Sequence, residues 1–489
     1  MMAVIGAGRS HFSTAILPAV LLVFCRPHAA LHAQAGNPSS LSNPFYGSVT
    51  LKPATDEVLH LSLDDAIRLG LQNNLGLKEA ENNEKYVRGE EREAVQQFLP
   101  TITLKADTGV HQYNLAAFGF GPSVIGQFKV FFPGGVLPPG LSEITKATLT
   151  EAQLRYKQTL FSGPVIAGWK ASLAAEKSYH FAKMSARGEV VQQVATAYLH
   201  AIAAASEVDN AKALEAADRV ALDQAQAAHE AGTASNLDEL RARVQLQAQQ
   251  QTRIAAQNDL DKDLILLKRE IGIDPGQNLV LSDPAPYSDL IEQTPEEVRA
   301  IAYKNRQDYQ NLQNQAVEFK AVRNAYRGQR LPTLSVSGYW GVSDVSGVGT
   351  NGNFMAQGTL SVPLFREARL RGDIESAQAQ LDAVNVQLDD LRQHIDQQVR
   401  SALLDATANA KLVDVARSNV DLAKRALSDE TERVNAGVDD NLPLVTAQAT
   451  LAAAESNLVE SLYHYNVAKL LLARAAGVIE LQYRDYLGR

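Results

Sequence analysis

The sequence predicts a mainly α-helical protein with a small transmembrane β part. Three observations carry that expectation: long proline-free stretches rich in alanine, a heptad seam, and four segments that alternate with period two. The chain of 489 residues is 45% hydrophobic but only 6% aromatic, which leaves few large side chains for several compact cores. Much of the apolar content is alanine. With glutamine, leucine and charged residues it fills the middle and the C-terminal third, the composition of long helices packed closely side by side.

The helices come first. Pro164 and Pro275 bracket 110 residues without proline, and a second proline-free run lies between Pro363 and Pro443. Each run has one expected reversal, at Ala231-Gly232-Thr233 and at Ala436-Gly437-Val438, since glycine adopts the left-handed conformation that ends a helix. In the second run Leu370, Ile374, Ala377, Leu381, Val384, Leu388, Leu391 and Ile395 are spaced alternately four and three apart. That seam demands left-handed supercoiling against a partner helix. At ~1.5 Å per residue a helix over 366–435 reaches on the order of 100 Å.

The strands follow. Ile102, Leu104, Ala106, Thr108 and Val110 share one face, opposite Thr103, Lys105 and Asp107; Ala152, Leu154, Tyr156 and Leu160 oppose Glu151, Gln153, Arg155 and Lys157. The pattern recurs with Leu334, Val336 and Trp340 against Thr333, Ser335 and Ser337, then with Phe354, Ala356, Leu360 and Val362 against Gln357, Thr359 and Ser361. Apolar outside and polar inside fits barrel strands in a membrane, although a half-buried soluble sheet has the same alternation. The internal repeat and the leader described below favour the membrane. Four strands cannot close a barrel, and an open edge in lipid leaves backbone groups unpaired at several kcal/mol each, so several chains must pool their strands. Three would give twelve; the alternation itself does not fix the number.

Self-comparison finds the chain written twice. Ala231-Gly232 with Asn236-Leu237 recurs as Ala436-Gly437 with Asn441-Leu442, and Leu266-Leu267-x-Arg269-x-x-Gly272 as Leu471-Leu472-x-Arg474-x-x-Gly477, both at an offset of 205. Leu99-Pro100-Thr101 recurs as Leu331-Pro332-Thr333 at an offset of 232, so the first copy carries 27 extra residues, assigned to the glycine- and proline-rich run 118–140. The expected organisation has a signal peptide at 1–35, an N-terminal extension at 36–59 and a first repeat at 60–276, with strands at 101–110 and 151–161 and a hairpin tip near 232. A linker at 277–293 leads to a second repeat at 294–480, with strands at 333–342 and 354–364 and a tip near 437, before a tail at 481–489.

The leader has Arg9, an apolar stretch over 12–24 and a small-x-small site at Ala33-Gln34-Ala35. Cys25 is the only cysteine, and Phe24 before it disfavours lipidation, where a small residue is wanted. After the leader no window approaches the ~18 uninterrupted apolar residues of a spanning helix.

Several functions find no support. A formal charge of −9 gives no basic face for nucleic acid. The histidines, His60, His111, His180, His200, His229, His394 and His464 among them, are dispersed without metal-ligand spacing. No Gly-x-Ser-x-Gly, phosphate loop or dinucleotide fingerprint occurs, and Gly119-Phe120-Gly121 reads as loop glycine. No cofactor and no catalysis are expected. Tyr339-Trp340, Phe354 and Phe161 suit either an interfacial aromatic girdle or strand packing.

In order along the chain, Leu63-x-x-Ala66 with Asn73-Asn74, Leu-Pro-Thr twice, Tyr156-Lys157-Gln158-Thr159-Leu160-Phe161, Ser361-Val362-Pro363-Leu364-Phe365 and the two glycine tips resemble the outer membrane efflux protein family. The likeness spans nearly the whole mature chain. It implies a homotrimer in a Gram-negative outer membrane, with a twelve-stranded β-barrel and a periplasmic α-barrel of twelve helices closed at its inner end. Such a trimer is the exit duct of a tripartite efflux or type I secretion system. The implied partners are a periplasmic adaptor, an inner-membrane pump of RND, ABC or MFS type, and outer-membrane lipid.

The resemblance also implies that the reversals, with Gly232, Thr233, Asp238, Gly437, Asp439 and Asp440, form the entrance and meet the adaptor. Pro100, Pro164, Pro332 and Pro363 then fall near helix-strand junctions. Family members carry carboxylates six and nine positions after the second tip glycine; here those positions are Pro443 and Thr446, with Asp439 and Asp440 nearby. Asp439 or Asp440 is the expected source of a charged ring at the mouth. Two other readings differ in what they require. A periplasmic adaptor would have one helical hairpin flanked by small β domains, and a soluble coiled-coil scaffold would lack the leader and the strand pairs.

Overall fold

Helices and strands alternate in an order that occurs twice. The computed structural model describes residues 39–132, 134, 144–233, 235–346, 349–435 and 441–488. The first copy runs β1 (Leu59–Leu61), α1 (Leu63–Asn73), α2 (Leu75–Gln96), β2 (Thr101–Asn114), α3 (Pro122–Phe128), β3 (Ile144–Phe161), α4 (Gly163–Glu230) and α5 (Asn236–Ile271). The second runs β4 (Leu279–Leu281), α6 (Pro295–Asn305), α7 (Gln307–Gly328), β5 (Thr333–Val345), β6 (Gly349–Ser361), α8 (Glu367–Asn435), α9 (Asn441–Ala475) and α10 (Ile479–Leu487). The expected signal peptide at 1–35, with Cys25, and the second reversal, with Gly437, Asp439 and Asp440, lie outside the described residues.

Local chemistry sets the breaks. The Ser62 side chain accepts from the Asp65 N–H to start α1, and Thr294 with Glu297 forms a capping box on α6. Asn74 is at once the C-cap of α1 and the N-cap of α2, at φ −60° and ψ 133°, and Arg306 holds the equivalent break between α6 and α7 at φ −67° and ψ 119°. Both α5 and α9 stop at a left-handed glycine, Gly272 (φ +78°) and Gly477 (φ +74°). In each case a second N–H closes the motif: Ile273 donates to the Lys268 carbonyl at 2.9 Å and Val478 to the Ala473 carbonyl at 3.0 Å. Only glycine fits at 272, where a Cβ would come within 2.3 Å of the Thr50 carbonyl oxygen.

The seam on α8 faces inward. Leu370, Ala377, Leu381, Val384, Leu388 and Ile395 are buried, with Ile374 and Leu391 half-buried. The four-three spacing then continues through Val399, Ala402 and Ala406, passes the half-buried Asn409, and resumes at Val413, Ala416, Val420 and Ala423. Near the sheet the partner of α8 is α7, and towards the tip it is α9.

The main core lies at mid-height, where α1, the middle of α4, the end of α5 and the end of α9 meet the short helices. Val190, Val194, Tyr198, Leu267, Ile271, Ile395, Leu470 and Leu472 are buried together there. β1 and β4 pair in parallel beside them, and the Tyr198 hydroxyl bridges the Leu61 carbonyl at 2.9 Å and the Asp283 carboxylate at 3.0 Å. The segment between β4 and α6 is strapped onto α9: Tyr465 donates to the Ser288 carbonyl at 2.8 Å, Asn466 to the Pro286 carbonyl at 2.8 Å and Lys469 to Ser288 Oγ at 2.9 Å. Arg417 of α8 lies 3.6 Å from the centre of the Tyr287 ring. Burial pushes the Lys469 ammonium down to about 8.

Some boundaries differ from the sequence reading. The linker 277–293 contains β4, three residues that are too short for a periodicity signal. The tail 481–489 falls largely in α10, whose Tyr483, Tyr486 and Leu487 are buried in the core. The strands expected at 101–110 and 151–161 extend to Asn114 and begin at Ile144, because backbone pairing continues past the segments of regular apolar-polar alternation. The segment expected at 333–342 likewise runs on to Val345. The strand expected at 354–364 occupies Gly349–Ser361 instead: Pro363 has no N–H for the ladder, so Val362 falls outside it. The run 118–140 contains α3.

Glu270 is fully buried, one oxygen accepting from Gln193 Nε2 at 3.0 Å and the other without a hydrogen-bond partner. Burial raises its carboxyl from the ordinary 4.5 to about 8. The folded state therefore keeps a proton that the unfolded chain releases, and Glu270 costs increasing stability as pH rises from 4.5 to about 8. Thermal unfolding in detergent across pH should find Glu270→Gln similar to the parent near pH 4 and more stable above about pH 8.

Candidate functional site: sheet faces, helix junctions and hairpin tips

The four long strands form one antiparallel sheet in the order β2-β3-β5-β6. Register decides which side chains share a face. Leu104, Leu154, Trp340 and Phe354 lie directly opposite one another across all four strands, flanked by the rows Ile102-Tyr156-Gly338-Ala356 and Ala106-Ala152-Val342-Gly352. This apolar face is bare: Leu104 is 76% exposed, Trp340 71% and Phe354 78%. Water does not tolerate such a surface at low cost, whereas hydrocarbon does.

The opposite face is polar. Its rows are Thr101-Lys157-Ser337-Gln357, Thr103-Arg155-Tyr339-Met355, Lys105-Gln153-Gly341-Asn353 and Asp107-Glu151-Ser343-Asn351. The outer strands β2 and β6 each pair on one side only.

The helices next to the sheet repeat its lateral order. α4 packs on α2 and on α7, and α7 packs on α8, which gives α2-α4-α7-α8. β2 follows α2, α4 follows β3, β5 follows α7 and α8 follows β6, so each strand continues a helix. Pro100 and Pro332 stand immediately before β2 and β5, Pro164 is in the first turn of α4, and Pro363 lies between β6 and α8. Proline suits such junctions because it cannot continue a preceding helix yet fits a first helical turn. Sequence reasoning missed Gly163 and Gly328, where the start of α4 crosses the end of α7. A Cβ on Gly163 would lie 2.9 Å from the Gly328 carbonyl oxygen, and one on Gly328 2.9 Å from the Gly163 carbonyl carbon. No periodicity signals a close approach between segments so far apart in sequence.

At the first reversal Gly232 has φ +74°, with open space where a Cβ would stand. Thr233 folds back, its N–H and its hydroxyl both donating to the Ala228 carbonyl at 2.9 Å. Ser235 and Asp238 form a capping box on α5, with Ser235 Oγ donating to the Asp238 carboxylate at 2.7 Å. That hydrogen bond holds the Asp238 carboxyl below its usual range. The spacing Ser-x-x-Asp was a readable sign of this capping role. Glu239 ties the two helices together, 2.8 Å from His229 Nδ1 and 2.8 Å from Arg243. Beyond the second reversal Pro443 is the third residue of α9, followed in the same helix by Thr446.

Among the described residues no helix is long and apolar enough to cross a membrane. The sheet is the element whose exposed face suits one.

Known proteins share these features. The sequence model described as outer membrane efflux protein matches residues 66–272 and 300–478. Outer membrane protein TolC of Escherichia coli is 22% identical over 357 residues, 68% of this chain and 70% of that protein. The alkaline protease secretion protein AprF of Pseudomonas aeruginosa is 24% identical over 60% of this chain and 62% of its own length. The solved Campylobacter jejuni CmeC outer membrane channel superposes with a TM-score of 0.69 at 15% identity, over 92% of this chain and 94% of that one.

The two-faced sheet separates substitutions by parity. Phe354→Arg should cost about 2–4 kcal/mol per chain at mid-membrane depth. Gln357→Arg, on the opposite face of the same strand, should leave membrane recovery near that of the parent; extraction and heat-modifiability of the membrane fraction measure both.

Proposed function

The chain belongs to the outer membrane efflux protein family, and on that premise we propose that three copies assemble into an outer-membrane exit duct for an efflux or type I secretion system. The observation that carries this reading is the agreement between two lateral orders. The free edges β2 and β6 stand above the free flanks α2 and α8, so one neighbour can complete the sheet and the helical wall together. β2 and β6 run in opposite directions, so each new edge pairing is antiparallel and the alternation continues around twelve strands. Three copies of the hairpins then make the periplasmic tunnel. The apolar sheet face meets lipid and the polar face lines the pore.

A channel of this kind does its work by geometry and charge, without bond chemistry. The hairpin tips with Gly232, Thr233 and Asp238, and with Gly437, Asp439 and Asp440, are the surface offered to a periplasmic adaptor, and an inner-membrane pump of RND, ABC or MFS type supplies the cargo. Asp238 caps α5, and Asp439 or Asp440 supplies the carboxylate that threefold symmetry concentrates in a ring at the mouth.

The mass of the mature protein in detergent, with its conductance in a planar bilayer, tests the assembly. A trimer with small, gated conductance is expected, and a monomer soluble without detergent would exclude the barrel. Asp439→Asn combined with Asp440→Asn should reduce cation preference in single-channel recordings; an unaltered preference would remove those carboxylates from the entrance.

A further inference from the structure

The polar face of the sheet is charged in a way that the proposed duct does not require. All of its formal charge lies on β2 and β3. The matching face of β5 and β6, from Thr333, Ser335, Ser337 and Tyr339 to Asn351, Asn353, Gln357 and Thr359, carries none.

Within β2 and β3 the signs are sorted by height. Counted upward from the first β2–β3 pair, Thr101–Lys157, the first row holds Lys157, the next Arg155, the third Lys105, and only the fourth holds Asp107 and Glu151. Rows are two residues apart, about 7 Å along a strand. Lys105 and Asp107 neutralise each other in an ion pair of 2.9 Å. Arg155 Nε and Nη2 both donate to the neutral Gln153 Oε1, at 3.1 and 2.9 Å, and both Arg155 and Lys157 are exposed. Arg155, which also acts electrostatically on Asp107, and Lys157 therefore stand in adjacent rows towards the helix-proximal end of the sheet, neither in a direct ion pair among the described residues. The buried Gln153 beside Arg155, 4% exposed, holds the guanidinium against the wall.

We infer that Arg155 and Lys157 form a binding band for multivalent oxyanions inside the barrel, just above its junction with the helical tunnel. The inference rests on the barrel reading, since only closure by further copies turns two cations per chain into six around one lumen. Rings of lysine and arginine attract phosphate-like groups in pores, and the fork of Arg155 suits two oxygens of one such group. The uncharged wall of β5 and β6 separates the three cationic patches. An anion spanning more than one patch gains from each, so trivalent and larger anions should be held more tightly than monovalent ones. Such a band acts in series with a carboxylate entrance at the opposite end of the tunnel. It biases what leaves rather than what enters.

The test is block of the single-channel current in a planar bilayer at about 0.1 M salt, where the Debye length is ~10 Å. Sodium tripolyphosphate is added on the barrel side. The parent should be blocked in a concentration-dependent manner, Arg155→Gln with Lys157→Gln should raise the half-blocking concentration at least tenfold, and Arg155→Lys should keep most of the block. If the double variant does not assemble, Glu151→Gln, which removes the nearest fixed anion above the band, should lower the half-blocking concentration. Parent channels of normal conductance that tripolyphosphate does not block, or equal block in parent and variants, would overturn the inference and leave the barrel standing. A parent that forms no pore at all would remove both.

Discussion

Backbone groups on a sheet edge must find partners, and in hydrocarbon only protein can provide them. That constraint organises this molecule. β2 and β6 expose one unpaired edge each, along strands of 14 and 13 residues. Several kcal/mol per orphaned group makes the isolated chain untenable in a bilayer. Closure is thus a condition of membrane residence, and the period-two polarity of the strands has meaning only in a closed sheet. Helices α2, α4, α7 and α8 inherit the constraint, because each continues a strand and must keep its lateral place.

Below the sheet the mid-height core supplies rigidity. Its features come in pairs because the chain is duplicated: the breaks at Asn74 and Arg306, and the stops at Gly272 and Gly477. The pairs are not equivalent. Asn74 is fully buried and donates to the Phe45 carbonyl at 2.6 Å, whereas Arg306 binds Asp308 at 2.6 Å and Gln398 at 2.6 Å. The first break is anchored by the N-terminal segment and the second by α8. The strap from β4 to α6 adds a third tie, through Tyr287 and Ser288 to α8 and α9. Long helices joined in this way are held at their centre, and their far halves depend on pairwise seams of small residues such as Ala423 and Ala454.

The two copies differ in charge on the polar side of the sheet. The apolar face keeps its pattern in both copies because lipid imposes one requirement everywhere. The polar face meets only water and cargo, so its charges are free to differ, and the first copy alone carries them. Sorting of sign by height on β2 and β3 gives the lumen an axial electrostatic profile that a uniformly polar wall would lack.

Much of this was legible in one dimension. The four-three spacing from Leu370 to Ile395 marked the buried seam of α8, glycine marked the first reversal, and alternation marked which strand residues share a face, because these patterns follow from the fixed periods of helix and strand. The duplication was legible as well, from residues that recur 205 positions apart. What the sequence withheld depends on contacts between distant segments: the three-residue pairing of β1 with β4, the burial of α10, and the crossing of Gly163 on Gly328. Strand order and register belong to the same class. Periodicity put Lys105, Arg155 and Lys157 on polar faces, but only pairing stacked them in successive rows beside an uncharged half-sheet. A period is a property of one segment and survives in any context, while a register is a relation between two segments and exists only once tertiary structure has brought them together.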